Sequence, residues 1–273
     1  MKLAGKPLSP AKVNGANRRI RLENILAPLV MLALLLLAWE YLPVLLGIRP
    51  TILPQFSKVA AVFGDPATIG LYMKHGLVTL QEAATGLLIG GVLGFVFGIV
   101  LTESKLLMRS LYPYIVALQC MPKVAIAPLL VIWFGFGITS KVIVVGLLCF
   151  FPVLVNTISG IRGVSREQLE LFAAIRASRL KTHLHLLIPA ALPSILTGVE
   201  LAVVVSLLGA IVGEFVGAEE GLGVLLLQAQ FQMSMPSVFA ILLVLALMGV
   251  VFNLAIRAVR KRSLFWIAGE TGK

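Results

Sequence analysis

Long apolar runs dominate the chain, and the shorter segments between them hold most of the charge. A helix needs about 20 apolar residues to cross a hydrocarbon core of ~30 Å. Runs at about 25–47, 78–101, 112–134, 142–161, 195–216 and 238–259 meet that length, with a more polar, proline-bearing segment at 49–75 between the first two. The pattern predicts an all-α, polytopic membrane protein of about six transmembrane helices.

Composition agrees: 59% of residues are hydrophobic and 13% charged, against about 25% charged in a soluble domain. So few charges cannot cover a water-facing surface. The net charge of +11 would suit nucleic acid if it formed a patch, but it follows the crossings instead. Six crossings with the N-terminus inside put eighteen lysines and arginines inside. They are Lys2, Lys6, Lys12, Arg18, Arg19, Arg21, Lys105, Arg109, Arg162, Arg166, Arg176, Arg179, Lys181, Arg257, Arg260, Lys261, Arg262 and Lys273. Four lie outside (Arg49, Lys58, Lys74, Lys141), and Lys123 falls within a crossing. This is the positive-inside bias of a multi-pass plasma (inner) membrane protein with both termini cytoplasmic. The division is then a cytoplasmic tail at 1–24, a membrane domain at 25–260 with a cytoplasmic loop at about 162–192, and a cytoplasmic tail at 261–273. No small-x-small site follows the first apolar run, which reads as a retained crossing. Cys120 and Cys149 lie inside apolar runs, unlike a disulfide framework or zinc site.

The 162–192 loop is the anomaly. "ELFAAIRASRLKTHLHLLIPAALP", residues 170–193, gathers Arg176, Arg179, Lys181, His183 and His185 between two membrane crossings. Ser165 stands three residues before Gln168, the spacing of a capping box. Leu169, Phe172 and Ala173 recur at helical spacing, giving one apolar face. A short amphipathic helix is expected there, with Pro189 and Pro193 interrupting the chain before the fifth crossing. Such a helix can rest on anionic headgroups, but the mixed acidic and basic residues around Leu169 and Phe172 favour a groove on another protein. His183 and His185 make an H-x-H pair without a third ligand, so solvated side chains and no metal are expected.

The loop resembles the EAA loop of ABC importer membrane subunits, whose pattern is E-A-A, three residues, G, nine residues, I-x-L-P. Glu170 takes the glutamate, Leu171 and Phe172 the alanines, Arg176 the glycine, and Leu186, Leu187, Ile188 and Pro189 the last element. Neither alanine is kept, and arginine replaces glycine. "MPKVAIAPLLVIWFGFG" (121–137), "FFPVLVNTISG" (150–160) and "GEFVGAEEGLGVLLLQAQ" (213–230) resemble the nitrate/sulfonate/taurine branch, especially its thiamine-pyrimidine and riboflavin precursor permeases. The resemblance covers about 50–252. It implies a type I importer fold with a cytoplasmic coupling helix, a permease dimer, a homodimer in the simplest case, two ABC ATPase subunits that bind ATP and Mg, and an extracytoplasmic solute-binding protein. It also implies that Glu170, Leu171, Phe172, Ala173, Arg176 and Pro189 serve the ATPase contact. Since arginine tolerates a left-handed backbone less well than glycine, Arg176 is expected to stay helical and to pair with an acidic residue of the ATPase.

Within the membrane, Gly86, Gly90, Gly94 and Gly98 form one stripe for close helix packing. Pro113, Pro122 and Pro128 disturb the third crossing, and Lys123 sits beside Pro122. An ionisable group at that depth lines a path or forms an ion pair, with Glu82 as one possible partner. Glu82, Gln119, Lys123, Asn156, Glu200 and Glu214 are the candidate translocation path. Gln228, Gln230 and Gln232 follow Glu214 in a loop suited to a binding protein, an outer gate or simple solvation.

There is no G-x-x-x-x-G-K-[ST] phosphate loop, so ATP would be hydrolysed by a separate subunit. G-x-S-x-G and H-E-x-x-H are also absent, and Asp65 is the single aspartate, which speaks against an intramembrane protease. The expectation is a non-catalytic permease without cofactors of its own, importing a small solute. An ion-gradient-driven secondary transporter or channel is the alternative. Acids at membrane depth outnumber bases, which tilts the expected solute away from a small anion and towards a neutral or weakly cationic heterocycle.

Overall fold

The computed structural model describes residues 10–264, with side-chain surroundings from Leu26 onward. The parts of the two tails at 1–9 and 265–273 lie outside the described residues. Every regular element among the described residues is helical.

Helix α1 (Pro10–Leu45) carries a crossing at Leu26–Leu45. The segment expected as a tail therefore continues the first helix from Pro10 onward. After the short α2 (Phe56–Val62) comes α3 (Pro66–Glu103). The stretch at 66–75, expected outside the crossing, belongs to α3. Asp65 caps it, accepting from the N–H groups of Ala67 (3.1 Å) and Thr68 (3.2 Å), while Pro66 takes the first turn, where no donor is needed. At 1.5 Å per residue its 38 residues span about 57 Å, well beyond the hydrocarbon core.

The third crossing is broken. Helices α4 (Lys105–Cys120) and α5 (Ala127–Phe134) flank a 3-10 turn (Lys123–Ile126) and are bent by 82°. Each proline has its place: Pro113 lies inside α4, Pro122 at the break, and Pro128 in the first turn of α5. Then follow α6 (Ile138–Arg162), α7 (Arg166–Ala174), α8 (Arg179–Thr182), a π-helical turn (His183–Leu187), α9 (Ile188–Gly217), α10 (Leu222–Phe231) and α11 (Met235–Ser263). Among the described residues five helical stretches are long and apolar enough to cross a membrane, or six counting the bent pair once.

Helices α3, α6 and α9 form the packed centre, with α6 in the middle. Small residues make this possible. A Cβ at Gly94 would lie 2.5 Å from the Phe150 carbonyl oxygen, and one at Gly98 2.7 Å from Thr157 Cβ. On the other side of α6, a Cβ at Gly198 would lie 2.8 Å from the Pro152 carbonyl. Backbones this close gain dispersion contacts that lipid cannot match. Ala83, Val145, Cys149, Val153, Ala202 and Ala210 fill the space between. From Leu26 onward helix α1 stands apart, half-exposed. It is held near one end, where Trp39 donates to the Pro54 carbonyl (3.0 Å) and Glu40 accepts from the Ser57 N–H and hydroxyl (both 2.8 Å).

Candidate functional site

The loop between α6 and α9 is built by local chemistry. Ser165 caps α7, its Oγ accepting from Gln168 N–H at 3.3 Å. Hydrogen bonds from its own backbone N–H and the Ser165 hydroxyl hold the Glu167 carboxyl below its usual range. Helix α7 has no buried residue. Leu171 is 61% exposed, Ile175 66% and Leu180 69%, so apolar surface is left uncovered on this loop.

Arg176 does not stay helical. Its φ is +51°, its N–H donates to the Ala173 carbonyl (3.0 Å), and the Ala177 N–H donates to the Phe172 carbonyl (3.0 Å). That pair of bonds is a Schellman motif, with Arg176 in the left-handed position that glycine prefers. The conformation costs a non-glycine residue about 1–2 kcal/mol, offset here by two carbonyls that α7 would otherwise leave unpaired.

The prolines do not interrupt the chain. From Arg179 to Gly217 the helix runs through 39 residues. The wider π turn before Pro189 absorbs its missing N–H and the bulk of its ring. Pro193 lies inside α9, and the Thr197 hydroxyl donates to its carbonyl at 3.0 Å. His183 is tethered rather than solvated: Nε2 lies 2.5 Å from Glu103 Oε1 at the end of α3, and Nδ1 lies 2.9 Å from the Arg179 carbonyl. His185 stays exposed, Nδ1 3.1 Å from the Lys181 carbonyl.

At the broken crossing, Lys123 Nζ donates to the Gln119 carbonyl at 2.8 Å and sits 4.6 Å above the Phe151 ring. Gln119 is exposed. Glu82 is not its partner. The Glu82 carboxylate meets Lys141 instead, with Oε1 3.2 Å from Nζ and both side chains buried. Lys141, expected outside the membrane among the flanking charges, is an interior residue of α6.

Glu82 and Lys141 belong to a larger cluster at the bundle end opposite α7. Glu214 of α9 accepts the Thr79 hydroxyl (2.6 Å) with one oxygen and the Gly223 N–H with the other. Thr79 Oγ1 accepts the Leu222 N–H (2.9 Å), and His75 Nδ1 accepts that of Gly221 (3.0 Å). The free N–H groups at the start of α10 are thus taken up by α3 and α9, and the helix dipole favours the Glu214 carboxylate. Gly221 has φ +128°, and a Cβ there would collide with the Glu214 carboxyl carbon.

The other path candidates lie apart. Asn156 is half-buried, its Nδ2 donating to the Pro152 carbonyl (2.8 Å), and the Ser194 hydroxyl bonds its backbone carbonyl (2.9 Å). Glu200 pairs with Arg260 of α11 at 2.8 Å. Gln228, Gln230 and Gln232, expected in a loop, lie on the last turns of α10 and at its cap, exposed.

Residues 90–264 match the family described as binding-protein-dependent transport system inner membrane component. The chain belongs to that family. It is 35% identical over 246 residues to the formylaminopyrimidine transport permease protein ThiX of Halalkalibacterium halodurans, covering 90% of this chain and 98% of the relative. It is 36% identical over 218 residues to the riboflavin transport system permease protein RibX of Chloroflexus aurantiacus, covering 80% and 81%. The fold is similar to that of a solved structure of the methionine ABC transporter MetNI, itself described as inward-facing, with a TM-score of 0.65 at 16% identity over 73% of this chain and 99% of that one.

This permease is therefore the membrane-spanning transport subunit of an ABC importer, a role that implies ATPase and binding-protein partners. Membership decides against the ion-gradient alternative. The left-handed turn at Arg176 falls at the position where the EAA pattern, as read from the sequence, has glycine. Lys141, His75 and Thr79 were missed as members of the cluster. A signal for two of them exists, because His75, Thr79 and Glu82 extend the stripe Gly86, Gly90, Gly94 and Gly98 along the same face of α3. The tilt away from a small anion and towards a neutral or weakly cationic heterocycle, drawn from an excess of buried acids, loses that basis. Glu82, Glu214 and Glu200 have partners, whereas Lys123 has no carboxylate partner among the described residues.

Proposed function

We propose that the permease imports a small nitrogen heterocycle of the pyrimidine or flavin kind, passed to it by an extracytoplasmic solute-binding protein and driven by two ATPase subunits that hold ATP and Mg. The names of its relatives at 35–36% identity support the solute class. In this reading α7 lies in the cytoplasm with both chain termini and docks into a groove on the ATPase. Leu171 and Ile175 would supply the apolar contact and Glu170 a polar edge, with Phe172, Ala173 and Arg176 completing the surface.

The observation that carries the reading is mechanical. Exposed apolar side chains crown a loop whose chain continues, through the turn at Pro189, into a single helix reaching Glu214 at the far end of the bundle. A push on α7 would move that helix as one lever. A second copy of the permease completes the path, with Gln119, Lys123 and Asn156 as its polar lining and the Lys123 ammonium as a donor to ring nitrogens or carbonyl oxygens of the solute.

The test is uptake into proteoliposomes holding the permease, its ATPase and the binding protein encoded with it. Formylaminopyrimidine, riboflavin, taurine, an alkyl sulfonate and nitrate are offered in turn. ATP-dependent accumulation of a heterocycle supports the reading. Accumulation of the sulfonates or nitrate alone overturns the solute class, and accumulation that ignores a Leu171→Asp, Ile175→Asp double substitution overturns the docking role of α7.

A further inference from the structure

Glu82, Lys141 and Glu214 are three ionisable side chains buried to within a few per cent, one each from α3, α6 and α9. The Glu82 and Glu214 carboxyl groups are neighbours. Glu214 is fully engaged by the Thr79 hydroxyl and the Gly223 N–H, but neither oxygen of Glu82 accepts a hydrogen bond, although Lys141 Nζ lies 3.2 Å away. The surrounding groups do not repair this. His75 Nδ1 acts as an acceptor towards Gly221, and Glu220 at the mouth pairs with Lys74 (2.6 Å) beside the exposed Glu219.

Two adjacent carboxylates therefore face one ammonium in a water-poor interior. An uncompensated charge there is strongly destabilising, and orphaned polar atoms add to that. One proton cures both defects. It supplies the missing positive charge and turns an idle Glu82 oxygen into a donor aimed at Glu214.

We propose that this cluster is a proton-binding site, with one proton carried on Glu82 and shared with Glu214, and Lys141 neutralising the carboxylate that remains. A cavity of about 410 Å³, lined by Gln81, Glu82, Lys141, Glu219 and Glu220 among others, gives the proton a route to the far face. The site sits under the junction of α9 and α10, which Glu214, Thr79 and His75 hold shut. Opening that junction would hydrate Glu82 and release the proton. The closed junction binds one proton more than the open one, so raising the pH favours opening by up to about tenfold per pH unit, and lowering it favours closure. The proposal needs no assumption about the solute and can fail independently of it.

Infrared spectroscopy of the assembled transporter in lipid nanodiscs tests it. At neutral pH the wild type should give the carbonyl-stretch band of a protonated carboxylic acid, shifted on deuteration and lost on titration to alkaline pH. Glu82→Gln should lose the band because the amide donates to Glu214 in place of the acid. Glu214→Gln should lose it because Glu82 and Lys141 then balance alone. Glu103→Gln, at the other end of the bundle, should keep it. Absence of the band in the wild type, as with a bound metal cation in place of the proton, overturns the proposal, and so does its persistence in either cluster variant. Should both variants fail to assemble, titration of the wild-type band in the permease alone in nanodiscs decides, because Glu82 and Glu214 are the buried carboxyl groups among its described residues.

Discussion

His183 Nε2 lies 2.5 Å from Oε1 of Glu103, so the π turn that leads into α9 is tied directly to the end of α3. The His183 side chain is 17% exposed and that of Glu103 38%. In the proposed docking role of α7, a force arriving there would reach two of the three central helices at once. Replacing His183 by alanine should leave the bundle assembled, at a cost of about 1 kcal/mol for one partly screened polar contact. It should lower the stimulation of ATP hydrolysis by loaded binding protein severalfold. Glu103→Ala should do the same, and the double variant no more than either alone. Fully additive losses in a double-mutant cycle would mean that the two side chains do not act as a unit.

Arg176 gives an opposed pair of outcomes. Its φ of +51° is uncomfortable for any side chain, so Arg176→Gly should stabilise the end of α7 by about 1 kcal/mol, and Arg176→Val should destabilise it by more. Thermal unfolding of the isolated permease in detergent checks both. Binding to the ATPase is a separate readout. If the guanidinium pairs with an acidic residue of the motor, Arg176→Gly will raise the unfolding midpoint while weakening the complex.

The glycine stripe offers an internal control. Gly90 packs against the Gly146 backbone, whereas Gly91 has open space where a Cβ would go. Gly90→Ala should force α3 and α6 apart, at a cost on the order of 3 kcal/mol, the upper part of the overpacking range. Gly91→Ala should be silent. The yield of monodisperse permease after extraction, with its unfolding midpoint, distinguishes the two. Equal tolerance of both substitutions would contradict the closeness of the helices.

Acid should loosen the start of α3. The Thr68 hydroxyl, with the Ala67 and Thr68 N–H groups, holds the Asp65 carboxyl below its ordinary range. The cap thus stabilises the helix above the usual aspartate range and loses that contribution as pH falls through the lowered value. Exchange of the Ala67 and Thr68 amides, corrected for intrinsic rates, should accelerate in that acid window in the wild type. In Asp65→Asn it should stay flat.

Most crossings were legible because hydrocarbon thickness imposes a length that composition alone satisfies. Three features were not. The 82° bend at Met121 and Pro122 depends on how α5 packs against α6 and α9, and proline spacing carries no angle. Lys141 looked like a flanking charge because it stands at the edge of an apolar run, and what buries it is Glu82, 59 positions earlier. Arg176 looked helical because residue type is a weak guide when two backbone bonds demand a left-handed turn. The polar candidates at depth were recognisable one by one, but their pairing follows from the stagger of α3, α6 and α9, which short-range periodicity does not encode.

Lys123 is the sharpest test of the path. It stands at the break between α4 and α5, with one ammonium proton on the Gln119 carbonyl and the Phe151 ring below it. The cation–ring contact is worth about 0.5–1 kcal/mol at such a half-exposed site, so Lys123→Met should cost little in stability while removing the donors a solute would meet. Transport should fall at least tenfold, with ATPase assembly and the basal hydrolysis rate retained. Lys123→Arg should keep part of the rate with a raised KM, since a planar fork replaces a compact donor. Loss of assembly in Lys123→Met would assign the residue to the architecture of the break instead, and unchanged uptake would take it off the path altogether.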